Sequence, residues 1–171
     1  MKTRKLVYTA IFVAIGVLLP QIFHMVAGKA GGTVFLPMHI PTLLAGLLAG
    51  PVSGLVTGAL TPLLSAVLTG MPSFDRLPFM ILELMTYGIV AGLLYRVYKK
   101  QLYVSLLAAM LAGRIVNLAA FFTAGTLLHM QGYSWVMAIQ AVTAGLPGIL
   151  IQLVLVPLLV VACQKVVKRI G

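Results

Sequence analysis

Two ionisable residues interrupt long apolar runs: Glu83, in Met80-Ile81-Leu82-Glu83-Leu84-Met85, and Arg114, in Ala112-Gly113-Arg114-Ile115-Val116. A charge in apolar surroundings is costly unless it is paired, hydrogen-bonded or hydrated. Each therefore marks either a structural ion pair or a place where a polar solute is met. Each also has a polar neighbour about one helical turn away, Tyr87 after Glu83 and Asn117 after Arg114. On a helix such pairs share a face. In a binding role, Arg114 would offer a bidentate donor to a carboxylate or to ring heteroatoms. Glu83 would accept from hydroxyl or ring N–H groups, and Tyr87 or Phe79 would stack on a ring. The competing reading is a Glu83–Arg114 pair that only pins two helices. The residues leave both open.

Weaker polar candidates surround these. His39 and Thr42 lie in or just after Pro37-Met38-His39-Ile40-Pro41; Gln21 and His24 end the first apolar run; His129 and Gln131 fall in a later polar stretch; Gln152 interrupts the last run. Prolines flanking His39 break helical hydrogen bonding, and irregular backbone at membrane depth is tolerated mainly where it lines a cavity. Other chemistries lack their residues. There is no Gly-x-x-x-x-Gly-Lys-[Ser/Thr] phosphate loop, no His-Glu-x-x-His spacing for zinc and no Gly-x-Ser-x-Gly elbow. Cys163 is the single cysteine, which rules out an internal disulfide. No catalytic residue, metal or cofactor is expected.

These side chains must be positioned by elements that suit a bilayer. The chain of 171 residues is 61% hydrophobic and 8% charged, against roughly 45–50% and 25% in soluble domains. Six segments are apolar enough to approach the roughly 20 residues that cross a membrane: about 6–27, 34–50, 52–70, 78–96, 102–128 and 141–164. The second is the weakest. Residues 133–142, with Tyr133 and Trp135, read as an interfacial helix. Met1 to Lys5 and the following run imitate a signal peptide, but the run is too long and no cleavage site closes it. The expectation is a single all-α membrane domain over 1–171.

The cations orient it. Lys2, Arg4 and Lys5 precede the first helix, Arg96, Lys99 and Lys100 join the fourth and fifth, and Lys165, Lys168 and Arg169 follow the sixth. Six crossings place all three clusters on one side, leaving Lys29 and Arg76 on the other. The positive-inside rule makes both termini cytoplasmic. The net charge of +10 is thus spread over loops, not gathered into a nucleic-acid stripe. Small residues recur four apart, as Ala10/Ala14, Gly46/Gly50, Gly54/Gly58 and Gly88/Gly92, and predict close helix packing; the first pair, at the cytoplasmic end of an edge helix, would suit docking of another helix. The external loops, 28–38, 71–77 and 129–140, are longer than cytoplasmic turns such as Gly50-Pro51-Val52-Ser53-Gly54.

Over nearly its whole length the chain resembles the substrate-binding S components of energy-coupling factor (ECF) vitamin importers. The resemblance rests on size, helix count, Ala10-Ile11-Phe12-Val13-Ala14, the stretch Phe35 to Pro41, the Gly50-Pro51…Gly54 turn, and Pro62-Leu63-Leu64-Ser65…Leu68-Thr69-Gly70-Met71-Pro72. The branch for small heterocyclic vitamins and their precursors is the most similar. The resemblance implies that Ala10 and Ala14 dock on a transmembrane T subunit, with two cytoplasmic ATPases supplying energy. It also implies an external pocket enclosed by the first loop, the third external loop and helices four to six. Glu83, Tyr87, Arg114 and Asn117 would lie at the pocket, with His39 and Gln152 as lesser candidates. Pantothenate, niacin, pyridoxine and hydroxymethylpyrimidine are the candidate ligands. The rival class is a self-sufficient facilitator or channel.

Overall fold

The computed structural model describes residues 3–126, 139–140 and 143–170, and within these every regular element is helical. α1 spans Thr3–Phe35 and is broken at Gly28, whose φ of 65° lies in the left-handed region that glycine enters without penalty. α2, His39–Leu44, runs on through a π-helical turn, Ala45–Ala49. α3 is Pro51–Thr69; α4, Leu77–Gly92, continues as a second π turn, Leu93–Val97. α5 is Leu102–Thr126 and α6 is Leu146–Ile170. The expected interfacial helix at 133–142 falls mostly outside the described residues, as do His129 and Gln131.

Five of these helices are long and apolar enough to cross a membrane: Thr3–Val26, Pro51–Thr69, Leu77–Val97, Leu102–Thr126 and Leu146–Lys165. The segment expected over 34–50 differs. Its helix, His39–Ala49, is about 16 Å long at 1.5 Å per residue, roughly half the hydrocarbon thickness. The residues before it form a turn instead, because Pro37 and Pro41 remove backbone donors. All of α2 is buried by protein.

Burial is inverted relative to a water-soluble fold. Leu18, Val67, Leu68, Leu111, Ile115, Leu150 and Val154 are exposed, while Thr42, Ser53, Thr57, Thr61, Ser65, Glu83, Ser105, Asn117 and Gln152 are buried. That is the pattern expected where the surroundings are hydrocarbon and polar side chains turn inward, although the hydroxyls of Ser53, Thr57 and Thr61 find no hydrogen-bond partner there. The helices alternate in direction. Gly16 of α1 abuts Thr61, and Pro20 and His24 share a cavity with Gly70 and Met71, so α1 runs parallel to α3. Gly54 faces Gly88 and Gly58 faces Leu84, making α3 and α4 antiparallel. Gln164 donates to the Tyr95 hydroxyl at 2.9 Å, and Arg96 donates to the Leu48 carbonyl. The starts of α1, α3 and α5 and the ends of α2, α4 and α6 thus share one end.

The repeated glycines form the centre of this packing. A Cβ on Gly88 would lie 2.6 Å from the Cα of Gly54, and one on Gly92 2.5 Å from the nitrogen of Pro51. Gly46 meets the same stretch of α4. With no side chains between them, α2, α3 and α4 close to backbone contact. Gly50 is different: its φ of 105° reverses the chain directly into Pro51, which begins α3. The expected five-residue turn there is in fact one residue.

Candidate ligand site

Direct α3–α4 contact and the α4–α5 packing fix the depth of Glu83. It is buried, and three side chains from two other helices converge on its carboxylate. Arg114 of α5 approaches Oε1 to 3.0 Å, Asn117 of α5 donates through Nδ2 to Oε2 at 2.9 Å, and His39 of α2 lies with Nε2 3.5 Å from Oε1. Arg114 and Asn117 act together because three residues separate them on one helix. His39 arrives from 44 positions away in sequence. It is carried there by the turn after Phe35, where Leu36 takes a left-handed φ of 50° and its carbonyl accepts from the His39 amide at 3.1 Å. A non-glycine residue held in that region stores strain.

Tyr87 forms the layer beneath. Its ring meets the His39 ring edge-on, with centroids 5.0 Å apart and planes at 65°, and it sits one helical turn after Glu83 on α4. Gly113 leaves room for it, since a Cβ there would sit 2.9 Å from the ring.

Above this cluster is a cavity of about 500 Å³, within the range of small-molecule sites. Glu83, Arg114, Asn117 and His39 all line it, whereas Tyr87 and Gln152 do not. Gln152 instead reaches the Leu36 carbonyl at a long 3.5 Å, under the turn that delivers His39. The apolar wall includes Met38, Met71, Met80, Phe79 and Phe121, the two phenyl rings standing 4.5 Å apart at 32°. Within the cluster, Arg114 Nε and Nη2 and His39 Nδ1 have no hydrogen-bond partner. Buried polar atoms are normally satisfied, so the network is incomplete beside an open space.

The walls include parts the resemblance implies, with Leu36, Pro37 and Met38 of the first loop, Gln140 of the third and residues of α4 and α5, and they add others. Gly70, Met71, Pro72, Ser73 and Arg76, between α3 and α4, line the cavity, as do Pro20 and His24 of α1. Among the described residues, none of α6 is in the lining, whereas Gln140 and Ala144, before it in the chain, are. The loop over 70–76 folds inward because Ser65, buried on α3, donates to the Met71 carbonyl at 2.7 Å. Phe121 and His24 gave no sequence signal beyond hydrophobicity and polarity. Arg76 did: it is one of two cations outside the three basic clusters and the intramembrane Arg114. Ala10 and Ala14 lie far from this site, exposed on α1 at the edge of the face that buries Val13 and Val17.

Fold and site together define a multi-pass membrane protein with a closed-bottomed, mixed polar and aromatic cavity near one end of its bundle. The profile of the family described as "ECF transporter, substrate-specific component" matches residues 4–160, and the chain belongs to that family. It is accordingly the substrate-binding subunit of a transporter, not an enzyme. Comparison with curated proteins and with solved structures returns no match.

Proposed function

We propose that this protein captures a small water-soluble vitamin or vitamin precursor in the cavity above Glu83 and delivers it inward as part of an ATP-driven ECF importer. One observation carries the reading: the Glu83–Arg114–Asn117–His39 cluster, with unpaired donors, forms the polar floor of a cavity of about 500 Å³. Pantothenate, niacin, pyridoxine and hydroxymethylpyrimidine are the ligands in view. The positive-inside rule, applied to Arg4 and Lys5, to Arg96, Lys99 and Lys100 and to Lys165, supports a cytoplasmic side for the end opposite the cavity and for both termini, in a prokaryotic cell. The cavity then opens outward, the lipid-facing helices sit in the cell membrane, and α2 completes a sixth, broken crossing. A T subunit would dock on the exposed Ala10/Ala14 face, with two ATPases beneath it.

A facilitator would need a polar route through the bundle. Ser53, Thr57 and Thr61 do line up on α3 as buried hydroxyls, but Gly16 presses on Thr61 so closely that a Cβ would fall 2.5 Å from its methyl. That track is packed shut. The test is mass spectrometry of small molecules released on denaturing protein purified from vitamin-replete cells, paired with melting curves against the four candidates. A released vitamin, and a rise in Tm that grows with ligand concentration, is expected. An empty protein that no vitamin stabilises, or sustained uptake by the isolated chain in liposomes, would overturn the proposal.

A further inference from the structure

On the reading that this cavity holds the transported solute, we propose that its ligand is an electrically neutral, planar heterocycle with hydrogen-bonding groups along one edge, and not a carboxylate or other anion. The first argument is charge. Of the residues at the cavity floor, Arg114 is the cation, and its Nη1 is already 3.0 Å from Glu83 Oε1. Paired in this way, the charges of Glu83 and Arg114 cancel. A carboxylate brought to Arg114 would lie almost as close to Glu83, so attraction and repulsion offset while the desolvation cost of the anion remains. Arg76, the other Lys or Arg among the described lining residues, is exposed at the rim, where water and salt screen it.

The second argument is the pattern of unused hydrogen-bonding capacity. A His39 tautomer donating from Nε2 to Glu83 leaves Nδ1 as an acceptor, and Nδ1 has no partner. Arg114 Nε and Nη2 are donors, also without partners. A ring edge carrying both an acceptor and a donor satisfies both sides after a small side-chain shift. An acceptor-only carboxylate leaves His39 unsatisfied. The third argument is shape: Phe79 and Phe121, with Met38 and Met80, provide the aromatic and thioether surface on which a flat ring packs.

The experiment compares near-isosteric pairs that differ in charge, nicotinamide against nicotinate and pyridoxine against 4-pyridoxate, by calorimetry and melting of the full chain in detergent. The neutral member of a pair should bind at least about tenfold more tightly. In Glu83→Gln, Arg114 is no longer compensated, and the preference should move about tenfold or more toward the carboxylate. Equal or tighter binding of the carboxylate by the unaltered protein would overturn the inference while leaving the vitamin-binding proposal standing. That comparison needs no variant, so poor folding of Glu83→Gln does not rescue it. If none of the four binds, the molecule released on denaturation decides: a neutral one supports the inference and an anion overturns it. No released molecule and no stabilisation would overturn the transport-substrate reading and this one with it.

Discussion

The Glu83–Arg114 pair allows structural pinning and ligand binding to be separated by a double-mutant cycle. The side chains are only 6% and 12% exposed, and their nearest atoms are 3.0 Å apart. At an effective dielectric of about 20 and a charge separation of about 4 Å, their attraction is about 4 kcal/mol. Removing one partner strands the other, at a cost of about 3–5 kcal/mol. Glu83→Gln and Arg114→Gln should each destabilise by amounts in that range. The double variant, which buries two neutral amides able to bond each other, should cost less than the sum by about 2 kcal/mol or more. Reversible unfolding in mixed micelles gives the stabilities, and titration with the released ligand gives affinity in the same four proteins. If Arg114 also holds the ligand, the double variant regains stability without regaining affinity. Additive stabilities, within about 0.5 kcal/mol, would show that the pair is not coupled and would refute the reasoning. Recovery of both stability and affinity would reduce the pair to a pin between α4 and α5.

Two other substitutions probe the frame around the site. Gly88→Ala places a methyl group against the backbone of Gly54, 2.6 Å from its Cα, where no flexible side chain can yield. It should destabilise by about 3 kcal/mol or more and lower ligand affinity by moving Glu83; a melting temperature equal to the parent's would contradict the close α3–α4 contact. Ala14→Trp, on the exposed face of α1, should leave ligand binding unchanged while abolishing ATP-dependent uptake in cells that co-express the T and ATPase subunits. Undiminished uptake would remove Ala14 from the docking face.

Much of the frame is local information, and so it could be read in advance. The long apolar runs fix α1, α3, α4, α5 and α6 to within a few residues at most ends, because crossing hydrocarbon demands length and apolarity that few other structures require. The exceptions are α1, which runs on past its break at Gly28 to Phe35 and does not end near 27, and α6, which spans Leu146–Ile170 and not 141–164. The four-residue spacing of Gly54 with Gly58 and of Gly88 with Gly92 announces close helix contact. Glu83 and Arg114 stand out because a charge in such a run needs a reason. Asn117 follows from helical periodicity alone.

What the sequence by itself determined, then, is a membrane-embedded helical chain with two charges inside it and most of its cations in three clusters between or beyond the apolar runs. Only the tertiary structure decided what those charges meet. His39 reaches Glu83 because Leu36 turns the chain and α2 is half-length; the pattern over 34–50 carries apolarity but not the place where a helix breaks. Gln152 goes to a backbone carbonyl and not to the cavity, and Phe79 meets Phe121 across the wall. The 70–76 loop is held at the site by hydrogen bonds from Ser65 and Thr69 to Met71. Helices are specified by neighbours three and four residues away, whereas a cavity is bounded by side chains tens of residues apart. Its shape and its charge balance exist only once the backbones have closed on their glycines.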